Sequence, residues 1–365
     1  MIPSKLNTEG SHSGLVRTLG KRVWGNPPRV RIPYPPPSAI LPLMKKSILV
    51  TGCAGFIGSN FCKQFKDQFP GVSIIGIDNF ATGRREALPK KITFYEGSIL
   101  NATLLEKIFK KHKPEYVFHF AALPRVSYSV EYPVETSETN ILGTVRMLEF
   151  AAKYKVKRFI YSSSSSLYGG AKKLPTKESE NQPNPKSPYA VQKYVGEPFC
   201  KVFSELYGLD TACLRYFNVY GPGQYGDSAY STVISAWLES LYFPNKKKGF
   251  IEGDGTKTRD FCYVDNVIQA NILAMKSKKA LNGEFFNVAH GERTSMLEVK
   301  KLIEQFTRRK LTLEKRPERI GDVRDTHADI SKIKKLLGYK PKYNFKSGLK
   351  ETVRWFEERI THDKK

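Results

Sequence analysis

A four-residue run, Ser47-Ile48-Leu49-Val50, leads into a glycine-rich turn and then into a helical pattern that reaches about residue 65. Short apolar runs recur at 73–77, 116–120, 158–162 and 211–216, with helical patterns at 139–154 and 189–207 among them. Continuous apolar runs, rather than strict alternation, mark strands buried on both faces. Strands alternating with helices predict a doubly wound parallel α/β sheet with helices on both sides. After about residue 220 the alternation weakens, and glycine, proline and charged loops become more frequent. We therefore expect a main domain over 44–220 and a smaller C-terminal lobe over 221–361, closing in a helix at 345–359.

Residues 1–43 read differently. They hold Pro35-Pro36-Pro37, several arginines and Glu9 as their one acid, with no apolar period. Such a segment cannot bury enough apolar surface to order itself, so we expect a basic, proline-rich disordered tail. An organelle transit peptide, a basic arm and an upstream start codon all fit that composition. We favour the last, with Met44 the true start, because Met44-Lys45-Lys46 runs directly into the first strand.

Five scattered cysteines without CxxC spacing argue against a disulfide framework or a zinc site, and favour a reducing, cytoplasmic setting. No metal is expected. No apolar run approaches the roughly 18–20 residues that span a bilayer, so no membrane partner is expected. The net charge is +25. Its lysines fall in short clusters on separate segments (246–248, 278–279, 334–335), and no RNA-binding aromatic motif accompanies them. We read a solvated, lysine-rich surface and expect no nucleic-acid partner.

Thr51-Gly52-Cys53-Ala54-Gly55-Phe56-Ile57-Gly58 sits between the first strand and the first helix. Gly52, Gly55 and Gly58 let the backbone turn tightly and approach a pyrophosphate, which the helix N-terminus then attracts. Asp78 follows about 20 residues later, at the end of the second strand, where a carboxylate accepts from the ribose hydroxyls of adenosine. Together these predict a Rossmann-type dinucleotide site. An aspartate there repels a 2′-phosphate and favours NAD over NADP, although Arg84 and Arg85 close by soften that preference.

Tyr189-Ala190-Val191-Gln192-Lys193 places a tyrosine and a lysine on one helix face. A free phenol titrates near pH 10, and a neighbouring ammonium favours its ionised form, making Tyr189 a candidate base. About 25 residues upstream, Ser162–Ser166 ends an apolar run and is followed by Leu167-Tyr168-Gly169. Serines there line the carboxyl edge of the sheet, where open α/β sheets bind ligands.

Glycine loop, Asp78, serine cluster and YxxxK occur in the order of the extended short-chain dehydrogenase/reductase superfamily, which the chain resembles over about 46–358. Within it, the chain is most similar to the UDP-hexose 4-epimerases. Further matching strings are Arg215-Tyr216-Phe217-Asn218-Val219-Tyr220-Gly221, Gly253-Asp254-Gly255 with Arg259-Asp260-Phe261, and Gly321-Asp322-Val323-Arg324. The resemblance implies that Ser164, Tyr189 and Lys193 are catalytic. It implies cofactor contacts, beyond the glycines and Asp78, at Phe56, Ile57, Asn79, Ser98, Ile99, Ala121, Ala122, Leu123, Asn140, Ser162, Tyr189, Lys193 and Phe217. Ser164, Tyr189, Asn218, Val233, Arg259, Arg319, Asp322 and Thr326 would meet the nucleotide sugar. Arginines on separate loops suit an anionic diphosphate. The main domain would bind NAD, the lobe mainly the nucleotide sugar, and the protein would be a homodimer.

Two positions depart from the pattern. Ser98 replaces the acid that usually meets the adenine ring. Pro198 falls inside the Tyr189 helix, which the resemblance places in the dimer interface, and is expected to kink it. At Thr326, members restricted to non-acetylated sugars resemble one another in carrying a tyrosine. A small residue leaves room for an N-acetyl group at C2.

The expected activity is thus NAD-dependent 4-epimerisation of a UDP-hexose through a transient 4-keto sugar. The UDP-GlcNAc/UDP-GalNAc pair is favoured, with UDP-glucose/UDP-galactose also accepted. A 4,6-dehydratase normally adds an acid beside the serine site, whereas 163–166 are all serine. A UDP-uronate epimerase or decarboxylase, and a non-catalytic NAD-binding regulator, are the remaining alternatives.

Overall fold

The computed structural model describes residues 46–227, 231–318 and 323–363. The expected tail at 1–43 and the candidate residues Arg319 and Asp322 lie outside the described residues. The first half of the chain gives β1 (Ser47–Thr51), α1 (Phe56–Gln68), β2 (Ser73–Asp78), β3 (Thr93–Glu96), α2 (Ala102–His112) and β4 (Tyr116–His119). Two short helices, α3 (Val126–Glu131) and α4 (Pro133–Ser137), follow, then a π-helical turn (Glu138–Leu142) leading into α5 (Gly143–Lys153). Next come β5 (Arg158–Ser164), α6 (Pro188–Tyr207) and β6 (Asp210–Tyr216).

The remainder carries shorter elements. They are β7 (Asn218–Tyr220), α7 (Val233–Tyr242), β8 (Gly249–Glu252), β9 (Thr258–Arg259), β10 (Phe261–Tyr263) and α8 (Val264–Lys276). Then follow β11 (Glu284–Val288), β12 (Thr294–Ser295), α9 (Met296–Thr307), β13 (Leu313–Arg316), α10 (Ser331–Leu337) and α11 (Phe345–Asp363).

Seven strands form one parallel sheet in the order β11-β6-β5-β4-β1-β2-β3. The order reverses at β1, so the chain winds outward in both directions and opens a crevice at the carboxyl end of β1 and β4. Side chains alternate across each strand. Ile48 and Val50 of β1 therefore join the core with Phe61, Phe65 and Phe118, while Leu49 joins Ile75, Ile108, Phe109 and Met147 on the opposite face. Both faces are covered by helices, which explains why the central strands read as unbroken apolar runs.

Two strands were not visible as apolar runs. β3, with sequence TFYE, is the exposed edge of the sheet and has little to bury. β11 comes from the C-terminal part of the chain and completes the other edge through Phe286 and Val288, both fully buried. The helical pattern at 139–154 opens in the π-turn before α5 begins. The Tyr189 helix runs unbroken from Pro188 to Tyr207. Ser187 caps it, accepting from the Ala190 N–H at 3.2 Å, and Gly208 ends it in a left-handed conformation. Pro198 sits on its exposed side, where the lost backbone hydrogen bond faces away from the core.

Candidate active site

A cleft of about 1100 Å³ runs along the carboxyl edge of the sheet. One end is built by the turn after β1. Gly52 has φ +68°, and a Cβ on it would stand 2.8 Å from the Ala121 backbone nitrogen. A Cβ on Gly58 would stand 2.1 Å from the Gly52 carbonyl oxygen. Only glycine allows the strand, the turn and α1 to approach this closely. No side chain caps the N-terminus of α1, so its first N–H groups face the cleft with Gly55, Phe56 and Ile57. This cradle fits a pyrophosphate.

Asp78 ends β2 and is 7% exposed. Its Oδ2 accepts from the Ala54 N–H at 2.9 Å and its Oδ1 from the Phe80 N–H at 2.8 Å. These bonds tie the glycine turn to β2 and aim the carboxylate, while each oxygen keeps a lone pair for a ribose hydroxyl. Asn79, Ser98 and Ile99 line this end of the cleft. Ser98 Oγ accepts from the Leu100 N–H at 3.1 Å.

The loop after β4 brings Ala121, Ala122 and Leu123 to the cleft. Asn140 stands behind it, 1% exposed, accepting from the Leu123 N–H at 2.8 Å and donating to the Leu123 carbonyl at 3.1 Å. It shapes the wall without lining it. His119 is fully buried between the Thr51 and Thr144 hydroxyls, with its ring nitrogens 2.9 and 3.1 Å away. Burial, aided by the Lys193 charge, holds its pKa down to about 3, so the ring is neutral.

The floor is built by β5, β6 and α6. The Ser164 hydroxyl and the Tyr189 phenol both line the cleft with Phe217, and the hydroxyl favours the ionised phenol. Burial outweighs this help and the nearby Arg125 charge, pushing Tyr189 up to about 12. Lys193 lies behind the floor, 4% exposed, with Nζ donating to the Ser162 carbonyl at 2.8 Å. Burial draws its ammonium down to about 8. The Ser162 hydroxyl faces the Tyr216 hydroxyl at 3.2 Å rather than the cleft. The sequence reading paired the phenol with Lys193. The cation whose charge acts on the phenol here is Arg125, which that reading gave no role. Its position depends on a loop fold that no local pattern announces.

The far end is built by the C-terminal segments. Asn218 Nδ2 donates to Thr326 Oγ1 at 3.1 Å and to the Asp260 carbonyl at 3.1 Å. Thr326 Oγ1 also accepts from the Asp260 N–H at 3.0 Å, so this small side chain is fixed at the wall. Arg259 lines the cleft, and its Nη1 donates to the carbonyls of Thr258 and Arg324 at 3.0 and 2.8 Å. Asp260 points away, accepting from the N–H groups of His290, Gly291 and Ala328 at 3.0–3.3 Å. Val233 opens α7 beside the lining residue Thr232 but does not itself line the cleft.

A glycine cradle, a ribose-facing aspartate and a Ser–Tyr pair on one parallel sheet define an NAD-dependent enzyme of the extended short-chain dehydrogenase/reductase type. Residues 48–289 match the NAD dependent epimerase/dehydratase family, and the chain belongs to it. A UDP-glucose 4-epimerase from Thermotoga maritima, solved with UDP-glucose, is 39% identical with a TM-score of 0.81, covering 86% of this chain and 99% of that one. A UDP-N-acetylglucosamine 4-epimerase from Methanobrevibacter ruminantium M1, solved with UDP-N-acetylmuramic acid, is 36% identical with a TM-score of 0.79, covering 87% and 100%. A UDP-glucuronate 4-epimerase from Thermodesulfobacterium geofontis is 34% identical over 86% of this chain and 96% of its own. Within the family the chain groups with the UDP-sugar 4-epimerases, NAD-dependent isomerases.

Proposed function

We propose that the enzyme interconverts UDP-N-acetylglucosamine and UDP-N-acetylgalactosamine, and also accepts UDP-glucose and UDP-galactose. One observation carries the chemistry: Ser164 and Tyr189 line the same cleft as the glycine cradle, where a sugar carbon and a nicotinamide can meet. The preference for the acetylated pair is supported by Thr326, a small residue held at the wall by Asn218 and Asp260.

NAD would be held by Gly52, Gly55, Gly58, the α1 N-terminus and Asp78. When bound, it supplies a nicotinamide that takes a hydride from the sugar C4 and gives it back. Tyr189 removes the proton of the 4-hydroxyl, with Ser164 orienting the phenol. Lys193, fixed on the Ser162 carbonyl, holds β5 and α6 in register beneath the pair, and would hold the nicotinamide ribose when the cofactor is bound. The 4-keto sugar then turns about its diphosphate link and shows its other face. Asn218, Arg259, Arg319 and Asp322 keep the UDP anchored during that turn. Tyr189 returns its proton to the re-formed hydroxyl, and the configuration at C4 is inverted. The protein thus supplies position and electrostatics, and the cofactor supplies the redox step.

A second reading is a UDP-glucuronate 4-epimerase. The observation that favours it is the Arg125 guanidinium in the cleft beside Tyr189, where it would suit a C6 carboxylate.

We further propose that the enzyme is a homodimer. Val191, Val202 and Leu206 are exposed on one stripe of α6, and Pro198 lies on the same stripe. Val126 and Val130 on the adjoining α3, Val134 on α4, and Tyr132 between them are exposed. An apolar face of this kind marks an association site.

Proton NMR of the purified enzyme, incubated separately with UDP-GlcNAc, UDP-glucose and UDP-glucuronate, tests the assignment. The proposal expects the C4 epimer of UDP-GlcNAc to form fastest. Turnover of UDP-glucuronate alone would replace it with the second reading, and no epimer from any of the three would refute both.

A further inference from the structure

Arg125 lies between β4 and α3 and lines the cleft. Its carbonyl accepts from the Ser129 N–H at 2.9 Å. The Ser129 hydroxyl, fully buried, donates to the Val126 carbonyl at 2.6 Å and accepts from the Tyr189 N–H at 3.0 Å. The backbone of Arg125 is thus joined to the backbone of Tyr189 through one serine. This clasp fixes where the Arg125 side chain leaves the loop, and that side chain lines the same cleft as the phenol. Among the described residues, no carboxylate or carbonyl accepts from its guanidinium. Its charge favours the ionised form of the Tyr189 phenol across the cleft that both line.

Several polar groups on the elements around Tyr189 are already engaged, while the buried Ser166 hydroxyl in the same cleft carries no charge. On its own helix, Lys193 donates to the Ser162 carbonyl. From β5, Tyr161 donates to the Lys193 carbonyl at 3.2 Å, and the Ser164 hydroxyl favours the ionised phenol. From α3 and α4, Tyr128 donates to Glu135 at 2.8 Å. From β6, Arg215 is paired with Glu197 and Tyr216 with Ser162 and Asn271. From β4, His119 is neutral.

We propose that Arg125 is a positioning residue of the reaction: with its backbone held against α6 by the Ser129 clasp, its guanidinium stabilises the ionised Tyr189 phenolate within the cleft that both line. A positive charge facing a phenolate in a partly desolvated cleft favours the charged form, and it remains there throughout the turnover. Arg125 would act in this way on any UDP-sugar, because its effect passes through Tyr189. This inference rests on the 4-epimerase reading of Tyr189.

The test uses the holoenzyme and the variants Arg125→Gln, Arg125→Lys and Ser129→Ala, with kcat and KM followed across pH. Arg125→Gln is expected to move the acid limb of kcat upward by about one pH unit, so that turnover below the limb falls about tenfold. Plateau kcat and KM stay within about twofold. Arg125→Lys keeps the limb near its original position, and Ser129→Ala moves it part of the way. A second readout is the ultraviolet titration of tyrosinate, referenced to Tyr189→Phe, in which Arg125→Gln moves the Tyr189 transition in the same direction. An unmoved limb with an unmoved tyrosinate transition overturns the inference. So does a rise in KM with an unmoved limb, which would make Arg125 a substrate contact. If the wild-type enzyme turns over no UDP-sugar, the epimerase reading fails, and the tyrosinate titration still decides the Arg125 effect by itself.

Discussion

Arg215 and Glu197 form a two-pronged pair beneath the active-site floor: Nε to Oε1 at 2.9 Å and Nη2 to Oε2 at 2.6 Å. Their side chains are 2% and 5% exposed. Ser163 donates to the same carboxylate at 2.6 Å, and Arg215 donates to the Tyr168 hydroxyl at 2.7 Å. The pair ties α6, which carries Tyr189 and Lys193, to β5, which carries Ser164, and to β6, which leads into Phe217. Removing one partner leaves a buried charge without compensation. Glu197→Ala is therefore expected to cost about 3–5 kcal/mol of stability, read as a lowered urea midpoint. A loss below about 1 kcal/mol would show that the pair is not what joins these elements.

Thr326 supplies a test of sugar choice. Thr326→Tyr fills the wall where the acetamido group is placed and leaves Asn218 and Asp260 to find new partners. The kcat/KM ratio of UDP-GlcNAc to UDP-glucose is expected to fall at least about tenfold, chiefly through loss of the acetylated substrate. An unchanged ratio would remove Thr326 from the account of specificity.

His119 makes stability depend on pH. Its folded pKa of about 3 lies below the ordinary 6.5, first because the ring is buried and second because Lys193 is near. Above about pH 6.5 the ring is neutral in both states and contributes no pH dependence. As the pH falls below that, the unfolded chain takes up a proton that the fold refuses. Stability then drops by about 1.4 kcal/mol per pH unit through this group until the folded pKa is reached. His119→Gln should reduce that acid slope in pH-dependent urea unfolding. An unaltered slope would mean that the ring does not stay neutral.

The dimer proposal is tested at Leu206 and Val134, which are 72% and 73% exposed. Leu206→Glu combined with Val134→Glu places charge on the stripe without touching the core. Sedimentation should show wild-type dimers and variant monomers, with folding intact by circular dichroism. A wild-type monomer would remove the proposal.

The central strands were legible because burial on both faces forces unbroken apolar runs, as in Ser47-Ile48-Leu49-Val50. The cofactor end was legible because its chemistry is local: Gly52, Gly55 and Gly58 lie within seven residues and work through the backbone. Ser164 and Tyr189 were legible together only through family resemblance, since 25 residues separate them and the fold alone brings them to one cleft. The role of Asn140 behind Leu123, and of Lys193 on the Ser162 carbonyl, depends on which way a side chain turns at a helix surface, and spacing does not set that. Arg125 and Ser129 escaped the reading for the same reason. The Ser129 bond to Tyr189 crosses 60 residues of chain. β3 stayed hidden because an exposed edge strand carries little apolar signal.

The central claim is that Tyr189 drives an internal oxidation and return at the sugar C4. Epimerisation of UDP-GlcNAc in deuterated water, followed by proton NMR and mass spectrometry with Tyr189→Phe as control, tests it most directly. The account predicts that the C4 epimer forms with protium retained at C4, because the hydride never leaves the site, and that the variant is inactive. Solvent deuterium at C4, or an active Tyr189→Phe variant, would contradict it.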